Sequence, residues 1–157
     1  MEKRMYPCFV AGKQKPYANA VVVGNTIYIS GMNGRSSETG EAVSDTIEGQ
    51  TWRAFEQIES AMREAGSSLK NLVKTTTFLR DMSDYQGYRD TERKYLLEHA
   101  PELVEEPVAS TVVQVASLPK KEFLIEIEAV GIIASNAKFG LRNAEYRRLP
   151  KESKHRK

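Results

Sequence analysis

The sequence predicts an α+β domain in the order ββαβαββ, with one mixed sheet covered by two helices on one face. Three observations carry that expectation. Two stretches place apolar residues at helical spacing, and both lie between segments rich in β-branched residues. The strand-like segments come as neighbours in sequence at both ends, which suits adjacent pairing in a sheet. The chain has 157 residues, enough for one core and few for two.

Taken in order, Val21-Val22-Val23 and Thr26-Ile27-Tyr28-Ile29 flank Gly24-Asn25, a two-residue hairpin signal. The second strand runs into Ser30-Gly31, and a polar, glycine-rich loop continues to Gly40. A helix follows. Asp45 and Glu48 have the spacing of a capping box, and Ile47, Thr51, Ala54/Phe55, Ile58, Ala61/Met62 and Ala65 form one apolar stripe. Gly66 suits the position just past its end. Leu72–Arg80 reads as a strand through Val73, Thr75, Thr76 and Thr77. A second helix starts near Ser83 or Asp84, carries Tyr85, Tyr88, Tyr95 and Leu96, and stops before Pro101. Strands Ala109–Val115 and Glu122–Ile133 close the domain around a Leu118-Pro119-Lys120-Lys121 turn. With both helices on one side, the other side of the sheet needs cover, and self-association is the expected source.

Composition narrows the function classes. Hydrophobic residues make up 40% and charged residues 28%, an ordinary globular balance. No apolar run is long enough to span a bilayer, and no apolar signal core follows Met-Glu-Lys-Arg-Met-Tyr-Pro. Cys8 is the only cysteine, so no disulfide forms within the chain. A cytoplasmic protein without a membrane partner is expected. The formal net charge of +2 is unevenly spread. Residues 135–157 hold eight basic side chains against Glu145 and Glu152, which leaves residues 1–134 net acidic. The chain is expected to divide into a domain over 1–134 and a basic tail over 135–157. Such a tail is either a solvated terminus or an attractor of acidic partners.

The chemistry-bearing candidate is the last strand, Phe123-Leu124-Ile125-Glu126-Ile127-Glu128-Ala129-Val130. Alternation puts Phe123, Ile125, Ile127 and Ala129 on one face and Leu124, Glu126, Glu128 and Val130 on the other. Two acids between two apolar residues are either solvent-facing polar positions or a base at the rim of a core. Other chemistries lack their residues. There is no HExxH, paired CxxC, P-loop or GxGxxG motif, and the two histidines, His99 and His155, have no triad partners in view. No metal or other cofactor is expected.

Four segments together resemble the RidA family, also called YjgF or reactive intermediate imine deaminases. They are Pro16-Tyr17-Ala18-Asn19-Ala20 leading into Val23-Gly24-Asn25; Ile29-Ser30-Gly31; Val73-Lys74-Thr75-Thr76-Thr77-Phe78-Leu79-Arg80-Asp81; and Val115-Ala116-Ser117-Leu118-Pro119 with Ile125-Glu126-Ile127-Glu128-Ala129. The resemblance implies a chorismate-mutase-like α+β subunit, a homotrimer, and a small-molecule substrate in each cleft between subunits. It implies hydrolysis of an enamine or imine to a carbonyl product and ammonia. By position, Glu126 takes the role of holding the water, and Tyr17, Ser30 and Gly31 line the cleft.

One departure bears on substrate. Members of the family carry an arginine in the segment before VA-x-LP, where it binds the substrate carboxylate. Here Pro107-Val108-Ala109-Ser110-Thr111 has none, with Ser110 at that position when counted back from Val115-Ala116. A hydroxyl does not reproduce a bidentate, permanently charged clamp. Arg89 stands where the family has a cleft-lining asparagine, and is either a relocated anion anchor or an exposed helix residue. Three readings follow: a hydrolytic deaminase acting on a 2-aminomuconate-type substrate rather than 2-aminoacrylate; a trimer that binds small molecules without chemistry; and an RNA-acting protein. The third has only the basic tail in its favour, so nucleic acid is not the expected partner.

Overall fold

The computed structural model describes residues 2–134; the basic segment 135–157, with His155, lies outside the described residues. Six strands form one sheet: β1 (Lys3–Val10), β2 (Lys13–Val23), β3 (Thr26–Asn33), β4 (Leu72–Leu79), β5 (Ala109–Gln114) and β6 (Ile125–Ile132). Their order across the sheet is β1-β2-β3-β6-β4-β5. β4 and β5 run parallel and the other neighbours antiparallel. Helices α1 (Ile47–Glu64) and α2 (Tyr85–His99) and the short α3 (Glu102–Glu105) complete the chain. The expected ββαβαββ order is present, with β1 added in front and α3 added after α2.

β1 is the strand that periodicity did not mark. Pro7 interrupts it, and a proline cannot donate to a ladder. The fold accommodates this because β1 is an edge strand and its register shifts on both sides of Pro7. The β1–β2 turn is Ala11-Gly12, with φ of 52° and 70°. Two successive positive φ values suit the twist of a tight hairpin, but alanine in that region is not a sequence signal for one.

One face of the sheet is lined by alternate residues of every central strand. Ala20, Ile29, Ala129 and Thr75 lie side by side across β2, β3, β6 and β4, and all are buried. α1 lays its whole predicted stripe, Ile47 to Ala65, onto this face. Its start differs from the expected capping box. Thr46 is the N-cap, and its Oγ1 accepts from the Gly49 amide at 3.2 Å. Its end is as expected: Gly66, at φ 86°, donates to Arg63 O, and Ser67 N donates to Met62 O, the pair of bonds that closes a helix through a left-handed residue. α2 begins at Tyr85 without a side-chain cap; instead Asp81 accepts from Ser83 N in the turn before it.

The opposite face has no helix. Met5, Val21, Tyr28 and Val130 form one row across β1, β2, β3 and β6, and Tyr28 is 53% exposed. Glu126 belongs to this open face, because Ile125 and Ile127 on either side of it are fully buried under the helices.

Candidate active site

At one end of the open face, the β1–β2 hairpin, the loop after β3 and the loop before β6 enclose a cleft of about 440 Å³. Glu126 forms its floor. The register sets Glu126 between Asn33 on β3 and Phe78 on β4. Its Oε2 accepts from Asn33 Nδ2 at 3.3 Å, and its Oε1 lies against the backbone of Gly31. A Cβ at Gly31 would stand only 2.2 Å from that oxygen. Glu126 makes no ion pair among the described residues. Asn33 is 3% exposed and lines the cleft, yet its Oδ1 has no hydrogen-bond partner among the described residues. A buried carbonyl oxygen left this way is costly unless a bound molecule donates to it.

Four of the sequence-predicted residues meet here: Glu126, Tyr17, Ser30 and Gly31 all line the cleft. Tyr17 stands at the mouth, 48% exposed, and its hydroxyl accepts from Arg35 Nη1 at 3.4 Å. Ser30 Oγ donates to Ala18 O at 2.7 Å, which ties β3 to β2 beneath the site.

The other two do not join them within this chain. Arg89 belongs to the helical side of the sheet. Its Nη1 pairs with Glu92 Oε2 at 2.7 Å and also donates to Tyr88 Oη at 3.4 Å. Tyr88 in turn accepts from Thr77, a buried residue of the helix-covered face, and donates to Glu92. Burial opposes the charge on Arg89, but bonds to the Glu92 carboxylate and the Tyr85 hydroxyl outweigh it and raise its pKa. Burial also pushes the Tyr88 phenol well above the usual range, so it stays a neutral donor in this network. Ser110 is on β5, where its Oγ accepts from Thr75 Oγ1 at 3.3 Å; it does not line the cleft. Glu128, the second acid of the strand, is exposed and lies beside Thr76, outside the cleft lining.

Sequence reasoning missed Asn33, Arg35, Lys15 and Lys120, all of which line the cleft. Three come from loops or from a hairpin end, where neither periodicity nor motif marks direction. A signal did exist in Gly34. A Cβ there would lie 2.4 Å from Gln50, so glycine lets this loop press against α1 next to Arg35. Gln50 itself is the brace of the site. Fully buried, it donates from Nε2 to Ser44 O and Glu122 O and accepts at Oε1 from Leu124 N, each at 2.8 Å. That fixes the segment leading into β6 and hence the position of Glu126.

Chemically, the floor offers one carboxylate held by a neutral amide, and the walls offer cations. Such a carboxylate can orient a water and take its proton. Among the described residues no group of three or more histidine, cysteine or acidic side chains is placed to hold a metal ion.

Comparison with known proteins agrees with this geometry. The family model described as Endoribonuclease L-PSP matches residues 11–133. A RutC family protein of Pyrococcus abyssi is 38% identical over 115 residues, covering 73% of this chain and 84% of the relative. The human 2-iminobutanoate/2-iminopropanoate deaminase is 36% identical over 117 residues, covering 74% and 80%. Among solved structures, Escherichia coli TdcF with bound serine superposes with a TM-score of 0.71 at 26% identity, covering 83% of this chain and 98% of that one. The match spans β2 to the end of β6, the strands that build the cleft: the chain belongs to the Endoribonuclease L-PSP family, which is the RidA/YjgF family its sequence segments resemble.

Proposed function

We propose that the cleft hydrolyses a small imine or enamine to a carbonyl compound and ammonia. An enamine reacts as its imine tautomer. Water adds to the carbon of C=N as Glu126 takes one of its protons and passes it to nitrogen, giving the neutral carbinolamine; Glu126 then moves the hydroxyl proton to nitrogen as the C–N bond breaks and ammonia leaves. Oxygen enters as carbonyl, nitrogen leaves as ammonia, and no redox partner is needed. The observation that carries the reading is the setting of Glu126: in a cleft, free of any ion pair among the described residues, steadied by Asn33 and lying against the only kind of residue that leaves it room. The names of the curated relatives as 2-iminobutanoate/2-iminopropanoate deaminases support the same class of reaction.

Ammonia release from freshly generated 2-iminobutanoate tests this. Glu126→Gln keeps the shape and removes the base, and a drop of about 10²-fold or more in kcat is expected. Equal release by the wild type and the variant overturns the proposal. A wild type that binds 2-oxobutanoate but releases no ammonia above the uncatalysed rate favours the other reading, a small-molecule-binding protein without chemistry.

A further inference from the structure

We propose that Arg35 is the substrate-anion anchor of this cleft, which makes the substrate a small organic acid whose carboxylate lies on Arg35 while its C=N carbon faces Glu126. The inference rests on the proposed hydrolysis and assigns its specificity. The segment before β6 lacks an arginine, and Arg89 is committed to Glu92 on the far side of the sheet. Arg35 is the guanidinium that the fold brings to the cleft instead.

Its bonding leaves it available. Arg35 is half-buried, and among the described residues its side chain bonds to Tyr17 Oη at a long 3.4 Å and to a sulfur, Cys8 Sγ, a weak acceptor, at 3.3 Å. No carboxylate pairs with it among the described residues. The contrast with Lys120 is direct. That lysine lines the same cleft but is engaged by Glu41 at 3.1 Å and Glu122 at 3.4 Å. A guanidinium has five N–H donors in a planar fork that matches a carboxylate bidentately, so Arg35 keeps donors in reserve. A half-desolvated cation without a counter-ion is unfavourable, and a ligand anion is the missing partner.

The anchor is also fixed in place. The Arg35 carbonyl accepts from Arg53 Nε at 3.2 Å and from Gln57 Nε2 at 2.9 Å, which pins its backbone to α1. Arg35 pairs with Ala42 across the loop. An anchor held this way spends little ordering entropy when it binds. The lining adds Lys15, which makes no ion pair among the described residues, while Glu126 is its single acid. A volume of about 440 Å³ suits a small acid.

The test uses two readouts on the full chain. Binding of 2-oxobutanoate, the hydrolysis product of 2-iminobutanoate, is measured by calorimetry for wild type, Arg35→Ala and Arg35→Lys. Turnover is compared between 2-iminobutanoate and an uncharged imine of similar size. Arg35→Ala is expected to weaken 2-oxobutanoate binding at least about 30-fold and to raise KM for the imino acid by a similar factor, with a much smaller change in kcat. Preference for the acid over the uncharged imine collapses in step, and Arg35→Lys recovers part of it. Thermal melting checks folding, and Arg35→Gln replaces the alanine variant if that one melts early. Unchanged 2-oxobutanoate affinity in the variants, or none in the wild type, overturns the assignment. Because binding is read without turnover, a failure of Glu126 chemistry stays distinguishable from a failure of the anchor.

Discussion

Glu126 Oε1 occupies the space that a methyl group on Gly31 would need, 2.2 Å from an ideal Cβ. Any side chain at position 31 therefore moves the carboxylate or the strand. The carboxylate is the flexible party, so Gly31→Ala is expected to displace Glu126 by about an ångström and leave the fold standing. Misplacing a catalytic group by that much typically costs on the order of 10²-fold in rate. Ammonia release should fall by about that factor while the melting temperature moves little; full activity would show that the close approach is dispensable. Much of the residue scale was legible in the sequence. Tyr17, Ser30, Gly31 and Glu126 were all named from it, and the fold brings them together. Arg35 and Asn33 were not, because their direction depends on how one glycine-rich loop sits on α1. Arg89 was named as a candidate anchor from its position in the family resemblance, and helix spacing says nothing about what its side chain meets.

Between elements, Gln50 joins α1 to the segment entering β6 through two bonds of 2.8 Å, to Glu122 O and from Leu124 N, and holds Ser44 O by a third. Gln50→Leu keeps the bulk and leaves the Leu124 amide and the Glu122 carbonyl without that partner. Each buried group so orphaned costs about 1–3 kcal/mol, and a destabilisation of about 2–4 kcal/mol in urea unfolding is the expected result. Activity should fall further than stability alone explains, since the same bonds fix the approach to Glu126. A variant as stable as wild type would remove Gln50 from this role. The elements themselves were read well from periodicity. The α1 stripe, the Gly24-Asn25 hairpin and β4 are where the pattern puts them. The misses are β1, hidden by Pro7 and tolerated only at a sheet edge, and the start of α1, where Thr46 rather than Asp45 reaches the first free amides. Local chemistry allows either cap, and the chain's approach from the Ser44 turn decides between them.

For the whole molecule, the open face of the sheet is the outstanding question of packing. The row Met5, Val21, Tyr28 and Val130 is apolar from edge to centre, and Met5 and Tyr28 are each more than half exposed. A contiguous apolar strip of this kind on a β face is a site of association. We expect it to be covered by further copies of the chain in a closed, symmetric assembly, as the family resemblance implies with a trimer. Tyr28→Lys together with Val130→Glu should lower the molar mass measured by light scattering to that of one chain, while far-ultraviolet circular dichroism stays the same. An unchanged mass would place the interface elsewhere.

The sequence by itself determined the α+β class, the order of most elements, the family and the acid that the fold sets in the cleft. It did so because periodicity and short motifs are local, and strand alternation fixes which face a side chain takes once the strand is known. Only the tertiary structure decided which cations line the cleft with that acid. Arg35 and Arg89 both lie outside the strands, but one lines the cleft that holds Glu126 and the other is tied to Glu92 and Tyr88 on α2. No spacing along the chain encodes which residues a loop will bring beside a strand.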